Sequence, residues 1–188
     1  MLNMKKAMVI TLLLMIASVG QAQDFWGTLS IEDYRIIEIT NTQNDKKMML
    51  LDIERQPING GWTQLNTGLG LPAPQCSENS AGNNCFVRSS GIEIYYSDRL
   101  GDFLMGELTI TNANFAFEIK GHTIKVGDDI SKLASVHPDA YSKRQRIRPQ
   151  GVEYQVLMHL EQVNLSISFS FDPQSNLITE IMIHQSLV

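Results

Sequence analysis

Val163-Asn-Leu-Ser-Ile-Ser-Phe-Ser-Phe171 alternates without a break, apolar at every odd position and polar at every even one. A period of two marks a β-strand with one face buried and the other wet. Asp172-Pro173-Gln-Ser-Asn176 follows with turn-forming residues, and Leu177 to His184 runs back as a second strand. The stretch therefore specifies an amphipathic antiparallel hairpin that one-sided burial must stabilise.

This hairpin has a counterpart upstream. Aligning Ile92, Ile94 and Tyr96 with Ile167, Phe169 and Phe171 sets Leu104, Glu107, Leu108 and Ile110 against Leu177, Glu180, Ile181 and Ile183, with a turn two residues longer in the first copy. Segments 92–110 and 167–183 thus read as a duplicated hairpin. The plainer reading is that any two amphipathic hairpins look alike. Equivalent places in a repeated unit would favour duplication, and unrelated places would remove it.

Further out, Tyr34 to Thr40 and Met48 to Glu54 read as strands joined through the polar stretch Asn41 to Lys47. Phe115 to Ile119 and Thr123 to Val126 read as short strands meeting at Gly121. Gly127 then releases the chain into a helix, with Asp128 or Asp129 placed to cap its first turn and Ile130, Leu133 and Val136 forming a narrow apolar stripe. His137-Pro138 stops or kinks it, and a second turn from Asp139 to Gln145 continues the helical layer with Tyr141 inward. The expected fold is α+β: an antiparallel sheet of about seven or eight strands, with one helical layer over residues 128–145 packed on one face. The turn Ile124-Lys-Val-Gly127, with Leu133 six residues later, resembles small envelope proteins of the β-lactamase-inhibitor-like type. Their usual Gly and Pro after the helix have no counterpart at matching positions, and membership is not inferred.

Residues 57–91 differ in texture, holding six of the thirteen glycines, three of the six prolines and two charges, Glu78 and Arg88. This is loop composition, read as a long irregular loop that either forms a working surface or caps the domain through burial of Trp62. Both cysteines, Cys76 and Cys85, lie within it. Their short spacing predicts a disulfide in an oxidising compartment, and no nearby His completes a zinc shell.

The compartment is read from the start of the chain. Lys5 and Lys6 precede an apolar run from Ala7 to Ala17, and Gly20-Gln21-Ala22 supplies small residues at a cleavage site. Residues 1–22 are expected to be a signal peptide, leaving 23–188 as a single domain exported to the bacterial periplasm or beyond. The run is too short to span a bilayer. Without Lys5 and Lys6 the basic residues fall from fifteen to thirteen against twenty acidic ones, a formal charge of −7. Such a balance argues against nucleic acid, whose affinity comes from phosphate neutralisation.

No catalytic constellation is legible, and no cofactor or metal is called for. The four histidines, His122, His137, His159 and His184, form no ligand pair at helical spacing, and no serine sits in a Gly-x-Ser-x-Gly elbow. Asp128 and Asp129 lack the further oxygens of a calcium loop. Lys143, Arg144, Arg146 and Arg148 concentrate positive charge on an acidic chain, either as a solvated helix end or, with Trp62, as a docking spot for a protein or an envelope glycan. The leading expectation is a non-enzymatic envelope module of the binding, inhibitor, immunity or accessory kind. A periplasmic hydrolase acting on an envelope polymer is the alternative, and a small outer-membrane barrel the third reading.

Overall fold

The computed structural model describes residues 26–57, 62–79, 82–99, 102–148, 151–160, 162 and 164–185. The segment 1–22, read as a signal peptide, lies outside them. Among the described residues the N-terminal half contributes β1 (Gly27–Thr28), α1 (Ile31–Arg35), β2 (Glu38–Asn41), β3 (Lys46–Met49), α2 (Leu50–Glu54), β4 (Arg55–Pro57), α3 (Thr63–Leu69), β5 (Gln75–Asn79), β6 (Gly82–Ser89), β7 (Ile92–Arg99) and β8 (Asp102–Ile110). There follow β9 (Phe115–Ile119), β10 (His122–Lys125), α4 (Lys132–Val136), α5 (Pro138–Ser142), β11 (Gln145–Arg148), β12 (Gly151–Leu160), β13 (Leu165–Phe171) and β14 (Ile178–Gln185).

The fold is α+β, with two sheets where one was expected. A ten-stranded sheet runs β1-β12-β13-β14-β8-β7-β6-β5, with β11 added to β12 and β4 to β8, and a four-stranded sheet runs β10-β9-β2-β3. Pairings are antiparallel except for β1 on β12. Among the described residues the large sheet is an open path from β1 to β5. Alternation in 163–171 is realised in β13, where Leu165, Ile167, Phe169 and Phe171 are buried and the three serines between them are half-buried. Phe117 of the smaller sheet meets Phe169 edge-to-face at 5.5 Å, so that sheet covers the inner face of the larger one. One hydrophobic cluster, including Leu65, Leu133, Phe117 and Phe169, joins both sheets and the helices.

The two hairpins occupy equivalent places. Strands β14 and β8 lie side by side with Met182 opposite Thr109, flanked by Ile181–Ile110 on one side and Ile183–Leu108 on the other. Exchanging aligned residues interchanges those flanking pairs, which places a local two-fold axis through Met182 and Thr109. Pairs within each hairpin correspond as well: Ile92–Ile110 with Ile167–Ile183, and Ile94–Leu108 with Phe169–Ile181. Both ladders shift register at the same step, Tyr95/Tyr96 in one and Ser170/Phe171 in the other. A β-bulge is specific enough that its recurrence at an aligned position supports duplication of the unit.

The helical layer differs from the expected one. Segment 128–145 holds two five-residue helices, the first starting only at Lys132 and the second ending at Ser142, and Gln145 already belongs to β11. Asp128 and Asp129 do not cap α4: their carboxylates accept from the backbone N–H groups of Lys125 (2.8 Å) and Ser131 (2.8 Å). The break at His137-Pro138 occurs as expected, and His137 itself caps α5 by accepting from the Ala140 N–H at 3.3 Å. Its other ring nitrogen contacts the Thr28 carbonyl at 2.9 Å. A Cβ on Gly27 would lie 2.4 Å from the His137 ring, so β1 reaches α5 only as glycine.

Three further segments depart from expectation. Tyr34 and Arg35 are helical, in a turn capped by the Ser30 hydroxyl, and the strand begins at Glu38. Residues 50–54 leave strand geometry for α2, burying Leu50 and Ile53 one helical turn apart. Among the described residues of 57–91 the chain forms α3, β5 and β6 where an irregular loop was expected, with Gly70 ending α3 in left-handed conformation and Gly91 turning β6 into β7.

Candidate interaction face

Among the described residues the smaller sheet and the helices lie on one side of the ten-stranded sheet, and its outward alternation positions carry no second layer. Register lays these positions out in rows. One runs Leu157, Ser168, Met182, Thr109, Glu93, Arg88 across six strands, and the next runs His159, Ser166, His184, Glu107, Tyr95, Phe86. Leu157, Met182, Tyr95 and Phe86 are half-buried by neighbours on the same face. Trp26 closes one end by packing on His159 at 5.5 Å.

A cleft of about 490 Å³ opens on this face, lined among others by Glu93, Glu107, Thr109, Glu180 and Met182. Arg88 donates to both carboxylate oxygens of Glu93 (2.7 and 3.2 Å) and lies over the Phe86 ring at 4.6 Å. That guanidinium holds the Glu93 carboxyl below the usual carboxylate range. Glu107 accepts a long bond from the Thr109 hydroxyl at 3.4 Å and has the His184 ring 3.9 Å away. Glu180 has no cationic partner among the described residues.

The strongest electrostatic perturbation lies elsewhere. Glu54, half-buried at the end of α2, accepts a hydrogen bond from the Tyr34 hydroxyl of α1. Burial pushes its carboxyl up to about 7, against the opposing pull of that bond. Tyr34 is raised by burial and by Glu54, and Tyr96, whose hydroxyl donates to the Ile53 carbonyl at 2.7 Å, is raised by burial. Glu54 thus stands on the covered side of the large sheet.

The residues singled out in sequence are distributed as follows. Cys76 and Cys85 are bonded, S–S 2.06 Å, across the register pair of β5 and β6. Trp62 precedes α3 in left-handed conformation and packs on Tyr96 and Phe103, each ring centroid 5.0 Å away, so it is partly buried in the core. Lys143 bonds the Asp139 carboxylate (3.0 Å) and the Trp26 carbonyl (3.1 Å). Arg144 bonds the Tyr141 carbonyl at 3.2 Å and lies over that residue's ring at 4.3 Å. Arg146 and Arg148 belong to β11, and their side chains lie outside the description. Trp62 is not brought to this cluster, because its partners on β7 and β8 are separated from β11 by β14, β13 and β12.

His122 and His184 are exposed, while His137 and His159 are engaged as described above. No group of three metal-binding side chains converges among the described residues. No helix there is long and apolar enough to cross a membrane. Comparison of the chain with protein-family models, curated proteins and solved structures gives no match.

Proposed function

We propose that this protein is an exported, non-enzymatic binding module of the bacterial envelope, of the inhibitor, immunity or accessory kind, and that it engages a protein partner through the open face of its large sheet. The observation that carries the reading is the uncovered row from Leu157 to Arg88, six strands wide, mixing half-buried apolar side chains with hydroxyls and carboxylates. Binding surfaces combine apolar anchors with polar groups in this way, on a scaffold whose rigid ladders preorganise them. Export is supported by the basic, apolar and small-residue pattern of 1–22 and by the Cys76–Cys85 bond. The basic cluster is a weaker docking spot, since Lys143 and Arg144 already satisfy groups of their own protein.

A hydrolase of the two-carboxylate kind needs a neutral acid and an ionised carboxylate facing one substrate. Here the raised carboxyl, Glu54, and the carboxylates of the cleft lie on opposite sides of the sheet, which weighs against it.

A photo-reactive residue placed at Ser168 on the open face, and separately at exposed Ser135 on α4, tests the reading in the native envelope. A discrete protein adduct is expected from Ser168 and none from Ser135. Adducts from Ser135 alone, or from neither site, would overturn it.

A further inference from the structure

Within the open face, the carboxylates stand at defined spacings. Glu107 lies opposite His184, Thr109 opposite Met182, and Glu180 two residues before Met182 on β14. Glu107 and Glu180 therefore flank the Thr109–Met182 floor of the cleft at its two ends, about 13 Å apart along the strands at roughly 3.3 Å per residue. Arg88 is the only cation among the described lining residues, and its Nε–Nη2 edge is already bidentate to Glu93. The cleft thus presents two carboxylates without a full positive charge, separated by the thioether of Met182, a soft surface suited to the aliphatic stem of a long side chain.

Resting on the docking reading above, we propose that the partner presents a basic segment to this cleft, with one arginine or lysine against Glu107 and a second against Glu180. Charge complementarity selects a cation. The span selects two of them about four residues apart in an extended segment. The protein surface continuing to Leu157 on one side and Phe86 on the other favours a polypeptide over a small free cation. The pair Arg88–Glu93 shows how such a contact is made on this face: a guanidinium bidentate to a carboxylate, with its central carbon over an aromatic ring.

Two synthetic peptides of identical composition and charge, acetyl-Arg-Ser-Ser-Ser-Arg-amide and acetyl-Arg-Arg-Ser-Ser-Ser-amide, are titrated into the isotopically labelled full chain and followed by amide chemical shifts. The spaced peptide is expected to bind about fivefold more tightly, the range of a well-placed exposed ion pair, with shifts centred on β8 and β14. Glu107→Gln and Glu180→Gln should each abolish the preference while Glu32→Gln, distant on α1, preserves it. Equal binding of both peptides, a preference that survives both substitutions, or spermidine matching the spaced peptide would overturn the proposal. If Ser168 still yields its protein adduct in that case, only the basic-segment inference falls; loss of the adduct removes the docking reading instead.

Discussion

Glu54 is the residue at which the fold meets physiological pH. Its carboxyl is raised from 4.5 to about 7 by burial, while the Tyr34 hydroxyl resists the rise by bonding the ionised form. A folded-state value above the unfolded one means that this group's contribution to stability is complete below pH 4.5 and is lost as pH climbs through about 7. Denaturant unfolding should therefore show Glu54→Gln flattening the decline in stability across that interval, and the variant should exceed the parent above pH 7. Tyr34→Phe should move the midpoint upward, because it removes the bond that favours the carboxylate. A Glu54→Gln protein whose stability follows the parent's at every pH would refute this assignment. None of it was legible in the sequence: Glu54 stands in the run Met48 to Glu54, which reads as a strand, and its burial arises from α1 folding back onto α2.

At the level of elements, the Cys76–Cys85 bond ties β5 to the rest of the sheet, because β5 pairs with β6 alone. Closing so small a ring contributes roughly 2.5 to 3 kcal/mol through the unfolded state. Reduction should lower global stability by about that amount, and hydrogen exchange should show protection lost first in β5 while β7 and β8 keep theirs. Loss of protection throughout the sheet at the same moment would contradict that picture. The disulfide was legible from spacing and context, and both duplicated hairpins from their alternation. The short helices were not. Helices of five to seven residues, such as α1, α2 and α3, span at most two turns, too few for a 3.6-residue period to emerge from apolar runs. Cys85 and Val87 do alternate with polar or surface neighbours, yet β6 sits among glycines and prolines whose composition signals loop. The open face was half legible. Alternation puts Glu93, Glu107 and Glu180 on the wet side, but their meeting depends on β14 pairing with β8 across the 67 residues between Ile110 and Ile178, which no local pattern encodes.

At the scale of the whole molecule, the local two-fold through Thr109 and Met182 joins two hairpins into one continuous sheet without leaving a free edge between them. Both inner faces then share one core, and both outer faces form one surface broad enough for a macromolecular contact. Burial of Ile181, Ile183, Leu108 and Ile110 on one side and only partial burial of Met182, Thr109, Glu107 and Glu180 on the other follow from the same pairing. Substitutions on the outer side should accordingly change recognition without changing the fold, since surface replacements of this kind shift stability by about 0.5 kcal/mol or less. Thr109→Arg places a bulky charge at the centre of the open face, and its effect on the Ser168 photo-adduct, taken together with its unfolding curve, is decisive. The adduct should disappear while the unfolding transition stays in place; an undiminished adduct from a folded Thr109→Arg protein would contradict the assignment of partner binding to this face.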